Sequence, residues 1–90
     1  MKADVRGVEK VIKALANRRR LLVVKYLHRK GKAAVGDIAE EIKLSFPSTS
    51  RHLSILYAAD LLEREQTSTT INYSLIQPHH PALRVILSIL

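Results

Sequence analysis

Cysteine is absent from the sequence, which excludes disulfides, thiol chemistry, iron–sulfur clusters and zinc sites built on thiolates. Glycine is scarce, three residues in 90, and none stands in a loop that could cradle a phosphate. Carboxylates are few as well, eight against fifteen Lys and Arg. They form no catalytic pair, and Glu40 and Glu41 read as the solvated face of a helix. His52 has Ser48, Ser50 and Ser54 nearby in the chain, but no nucleophile, base and orienting carboxylate are gathered as hydrolysis requires, so no enzyme is expected. Long apolar runs are missing too. None reaches the length of a membrane span or of a secretion-signal core, so a cytoplasmic protein without membrane contact is expected.

What is present is a basic chain of one domain's length, with no repeat, linker or low-complexity stretch. Residues 1–90 can build a single core, but at this size a partner subunit helps to cover apolar surface. The net charge of +7 favours a polyanionic partner or an acidic membrane surface. Its distribution is uneven. Residues 1–32 hold eleven Lys or Arg against two acids, whereas the remainder holds four against six.

Hydropathy periods divide the chain into helices and a hairpin. Val8, Val11, Ile12 and Leu15 have the spacing of an amphipathic first helix. Asn17 suits the N-cap of a second, whose run from Leu21 to Leu27 is apolar on most sides and stops near Gly31. Ala33-Ala34-Val35 predicts a short strand, and Ile38, Ala39 and Ile42 a third helix. A turn at Lys43-Leu44 leads to a fourth helix that frays around Ala58-Ala59-Asp60. The period then changes to two. Leu62-Glu63-Arg64-Glu65 and Ile71-Asn72-Tyr73-Ser74-Leu75 alternate across Thr67–Thr70, as in a hairpin with one buried face. Pro81 can open a last helix to Leu90, too apolar for a free surface. The fold class is mainly α with a small β-hairpin wing, a winged helix-turn-helix.

The fourth helix carries the functional reading. Ser45 is a good N-cap, Pro47 fits a first turn, and Thr49, Leu53 and Leu56 share the inward face. Ser50 and Arg51 then point outward, with Phe46, Pro47 and Ser48 at the exposed N-terminal end. Backbone N–H groups at such an end can meet phosphates, and arginine can bond guanine edges or phosphate oxygens. His52 adjoins this face. Arg18, Arg19 and Arg20 form a candidate phosphate clamp.

Lys13-Ala14-Leu15-Ala16-Asn17-Arg18-Arg19-Arg20-Leu21, Val35-Gly36-Asp37-Ile38-Ala39, Leu44-Ser45 with Ser50-Arg51-His52-Leu53, and Asn72-Tyr73-Ser74-Leu75 occur in this order. From Lys13 to Leu75 the chain thereby resembles the ArsR/SmtB family of winged helix-turn-helix transcriptional repressors. The resemblance implies a homodimer joined through the first and last helices, about 5–16 and 81–90. Its two Ser45 helices would enter successive major grooves of a two-fold operator, with the hairpins near the flanking backbone.

Several positions depart from the family's pattern. Phe46 and Pro47 stand where a polar pair usually opens the recognition helix, which shifts readout toward thymine methyl groups, Ser50, Arg51 and DNA shape. Lys43 replaces the usual turn glycine. On the wing, Glu63 and Glu65 flank Arg64, and the tip is rich in threonine. Relatives release DNA on binding metal at cysteines or at last-helix His and carboxylate ligands. Here the adjacent His79 and His80 have no carboxylate after them, so no metal and no cofactor is expected. His28 suits the negative end of its helix.

The expected function is that of a homodimeric regulator, a repressor binding double-stranded DNA at a palindromic operator, with any effector or protein partner unassigned. Two rivals remain open. One is a protein-interaction module using the last helix, favoured by the acidic second half and Phe46-Pro47; the other is a sequence-independent nucleic-acid binder.

Overall fold

Short polar side chains set where the helices of this chain begin. The computed structural model describes residues 4–90. Asp4 Oδ1 accepts from the Gly7 N–H at 2.7 Å and opens α1, Val5–Leu15. Asn17 Oδ1 accepts from the N–H groups of Arg19 and Arg20, at 2.9 and 3.2 Å, and opens α2, Arg18–Lys30. Each cap satisfies amides that have no partner within the helix, a contribution of about 1 kcal/mol. Gly31, with φ 92°, ends α2 in a conformation that a Cβ would strain.

Beyond Gly31 come β1, Lys32–Ala34, and α3, Val35–Ile42. Val35, expected in the strand, is the first residue of the helix. It is buried with Ile38, Ala39 and Ile42, the spacing of one helical face, and that periodicity prevails over the strand preference of a β-branched residue. Lys43 turns the chain in the left-handed region, φ 57° and ψ 53°, at a cost of about 1 kcal/mol for a residue with a Cβ. Ser45 Oγ then accepts from the Ser48 N–H at 3.2 Å and opens α4, Phe46–Ala58. The strands β2, Leu62–Thr67, and β3, Thr70–Leu75, precede α5, Pro81–Ile89. His80 caps α5, its Nδ1 accepting from the Ala82 N–H at 3.0 Å.

The core forms around α2, which touches every other element except β2. Val23, Val24 and Leu27 are buried there with Ile38, Leu53, Leu56, Leu61, Leu62 and Leu83. The sheet has the order β1-β3-β2, antiparallel throughout, with Ala33 and Arg64 facing Tyr73 from opposite sides. Pairing of β1 with β3 ties the start of the helix-turn-helix to the wing.

Two expectations about faces are corrected. Ile12, placed inward by period, is 54% exposed, and the buried stripe of α1 is Val11, Ala14 and Leu15. That stripe is equally helical in spacing, and small Ala14 lets α1 approach its neighbours. In the hairpin, the buried positions are Leu62, Tyr73 and Leu75, while Arg64 nearer the base and Gln66 and Ile71 on the distal half are exposed. The wing projects past the helices, so its outer half has no core against which to bury a face.

Candidate nucleic-acid interface

Buried Thr49, Leu53 and Leu56 hold α4 against the core and determine which residues remain outside. Phe46, Pro47, Ser48, Arg51 and Ser54 are exposed, and Ser50 and His52 are half-buried. The face inferred from the sequence is therefore the outward face. Its backbone is less available than inferred: Pro47 has no N–H, and the Ser48 N–H is held by Ser45 Oγ. The side chains carry most of what this helix end can offer.

The three consecutive arginines do not act alike. Arg18 is exposed, whereas Arg19 and Arg20 are half-buried. Arg20 donates through Nε to the Ala14 carbonyl near the end of α1, and its Nη1 lies 3.2 Å from His52 Nδ1. One guanidinium thus joins α1, α2 and α4. For this hydrogen bond the imidazole must be neutral at Nδ1 with its proton on Nε2. Burial, then the charges of Arg20, Arg19 and Arg51, push the His52 pKa below its ordinary value, which favours that neutral form. The result is a cationic edge where α2 meets α4, with Arg20 and His52 serving as its internal brace.

The wing stands beside α4. Arg64 stacks its guanidinium 4.1 Å from the centre of the Tyr57 ring in the last turn of α4, a cation–π contact that aligns wing and helix. Arg64 therefore lies toward the base of the hairpin, away from the Ser68-Thr69 tip. Glu65 makes an exposed ion pair with Lys32 at 3.3 Å, so part of the wing's negative charge is locally balanced.

Between the wing, the start of α3 and α4 lies a groove of about 450 Å³ whose walls include Val35, Phe46, Ser50, Ser54, Ile71 and Tyr73. Nothing in the sequence pairs Phe46 with Ile71. They converge only because the hairpin folds back along α4. The Tyr57–Arg64 contact was hidden for the same reason, since it spans the turn between a helix and a strand.

His79 and His80 diverge. His79 meets the His28 ring edge-on at 5.6 Å between centroids, and its Nε2 is 3.0 Å from Gln77 Nε2. His80 is occupied as the α5 cap. Among the described residues, no group of three His, Asp or Glu side chains is placed to hold a metal ion. No helix among them is long and apolar enough to cross a membrane.

Comparison with known proteins places this geometry among regulators. Residues 17–64 match the family model described as bacterial regulatory protein, arsR family. The arsenical resistance operon repressor of Bacillus subtilis (strain 168) is 35% identical over 71 residues, covering 79% of this chain and 68% of that protein. The crystal structure of NolR from Sinorhizobium fredii superposes with a TM-score of 0.80 at 29% identity, covering 99% of this chain and 92% of that one. The homodimeric winged helix-turn-helix DNA-binding domain Mb0332 of Mycobacterium bovis, described as a possible ArsR-family regulator, is similar with a TM-score of 0.80. It is 27% identical, with coverage of 98% and 83% respectively.

Proposed function

The chain belongs to the arsR family of bacterial regulatory proteins and is a sequence-specific DNA-binding transcriptional regulator, and we propose that it is a homodimeric repressor reading a two-fold operator with α4. The observation that carries this reading is the outward face of α4, where Ser50 and Arg51 stand on a capped, core-anchored helix. Arg51 reaches a base edge or phosphate, and Ser50 supplies a hydroxyl. Phe46, Pro47 and Ser48 form the leading end of the reading helix. Arg18 and Arg19 meet the backbone beside it, and Arg64 meets the flanking backbone from the wing. Arg20 and His52 contribute by holding α4 in place.

In this reading residues 1–90 act as one winged helix-turn-helix domain, dimerised through about 5–16 and 81–90. Ile12 on α1 is 54% exposed, and Val85 and Ile89 on α5 are 63% and 75% exposed. The two helices pack against each other, so their apolar surfaces can join in one interface covered by a second copy. The homodimeric state of Mb0332 supports a dimer.

Selection of bound fragments from the source genome at moderate salt, combined with sedimentation at micromolar concentration, tests the proposal. One enriched palindrome and twice the chain mass are expected. A concentration-independent monomer would remove the two-fold reading. Retention of DNA without a motif would favour a charge-driven binder, and no retention would favour a protein-interaction module.

A further inference from the structure

Phe46 is the only phenylalanine in the chain and, although large and apolar, it is 58% exposed. It occupies the first position of α4, where Ser45 caps the helix and Pro47 fixes the next φ. The ring is therefore held on a preformed backbone. One turn further, Ser50 lines the same groove, and across it the wing presents Ile71, 37% exposed. This surface is apolar at the very end of the helix that reads DNA.

We propose that Phe46, with Ile71 across the groove, is a specificity-determining residue that selects thymine by contact with its 5-methyl group in the major groove. The inference rests on α4 being the reading helix. A phenyl ring can neither donate nor accept a conventional hydrogen bond, so it cannot read the polar pattern of a base edge. Among the four bases, the apolar group displayed in the major groove is the thymine methyl. The adjacent Ser50 hydroxyl then reads a polar edge next to that thymine, which makes the pair a methyl-plus-hydroxyl reader. Burial of one methyl corresponds to about a fourfold change in affinity, and a symmetric dimer uses it twice.

The test uses the operator recovered by genomic selection, synthesised with deoxyuridine in place of thymidine at one position per half-site at a time. Deoxyuridine removes only the methyl and leaves pairing and phosphates unchanged. For the full-length protein, one position is expected to weaken binding about fourfold per half-site, and Phe46→Ala to bind the thymidine and deoxyuridine operators equally. Because Phe46 is exposed, circular dichroism of the variant should match the parent. If every deoxyuridine position leaves the parent's affinity unchanged, or if the loss persists in Phe46→Ala, the proposal is overturned while operator binding stands. If no operator is enriched at all, the reading of α4 falls and this inference falls with it.

Discussion

Arg20 and His52 show how a single side-chain contact can tie α4 to the rest of the molecule. Their 3.2 Å contact needs a neutral imidazole, and the His52 pKa is lowered by burial and by three arginine charges. A histidine with a depressed folded-state pKa contributes stability that is full above its unfolded value of about 6.5. This contribution disappears as pH falls through that value toward the folded one. Denaturant midpoints compared across pH 5 to 8 should therefore fall more steeply on the acid side for the parent than for His52→Gln; equal slopes would remove the brace. Thr49 poses the opposite problem, since its Oγ1 is buried with no hydrogen-bond partner among the described residues. Thr49→Val keeps the shape and removes the stranded hydroxyl, so it should raise stability by about 1 kcal/mol in chemical denaturation. Arg51 is exposed, and Arg51→Ala should leave folding intact while weakening operator binding by roughly 1–3 kcal/mol for each base interaction it removes, measured by titration.

Among the elements, α5 has a core face, and the proposed reading adds an association face that has to be tested apart from it. Leu83 is 1% exposed and belongs to the core, whereas Val85 and Ile89 face outward. Removing the whole helix would open a cavity under Leu83, at a cost of several kcal/mol, and would confuse loss of folding with loss of association. Val85→Asp with Ile89→Asp leaves the core untouched. Sedimentation of that double variant should give a monomer with a parental circular dichroism spectrum, and a persisting dimer would place the interface elsewhere. The wing is also more than an appendage. The Arg64–Tyr57 stack and the β1–β3 pairing hold it along α4 and beside the start of α3, the arrangement that creates the Phe46–Ile71 groove.

Charge acts over the whole molecule. Eleven of the fifteen Lys and Arg residues fall within residues 1–32, although α4 lies later in the chain. Folding brings the start of α2 against α4 through Arg20, so the basic region and α4 share an edge. Arg18 is exposed, and in the proposed reading it meets phosphate irrespective of sequence. Arg18→Ala should weaken operator and random DNA equally and reduce the slope of log affinity against log salt by about 1. Arg51→Ala should reduce the preference between the two DNAs. Titrations at several salt concentrations distinguish these effects, and the reverse pattern would exchange the two roles.

The helix order, the caps at Asn17 and Ser45, the stop at Gly31 and the inward face of α4 were legible without coordinates, because each depends on residues within one or two turns of one another. Propensity, capping and period are local properties. The strand assignment of Val35 failed at the first position of α3, and the inward phase of Ile12 failed because a neighbouring stripe of α1 fits the same period and packing selects one. The exposed outer half of the wing, the difference between exposed Arg18 and engaged Arg20, the divergence of His79 from His80 and the groove shared by Ile71 and Phe46 were not legible. Each depends on where a distant element ends in space, such as the 32-residue separation between Arg20 and His52. The sequence by itself determined a winged helix-turn-helix with a basic start and an unusual apolar opening to α4. Tertiary structure alone decided which cations remain free and what that apolar opening faces, because long-range contacts leave no period in a sequence.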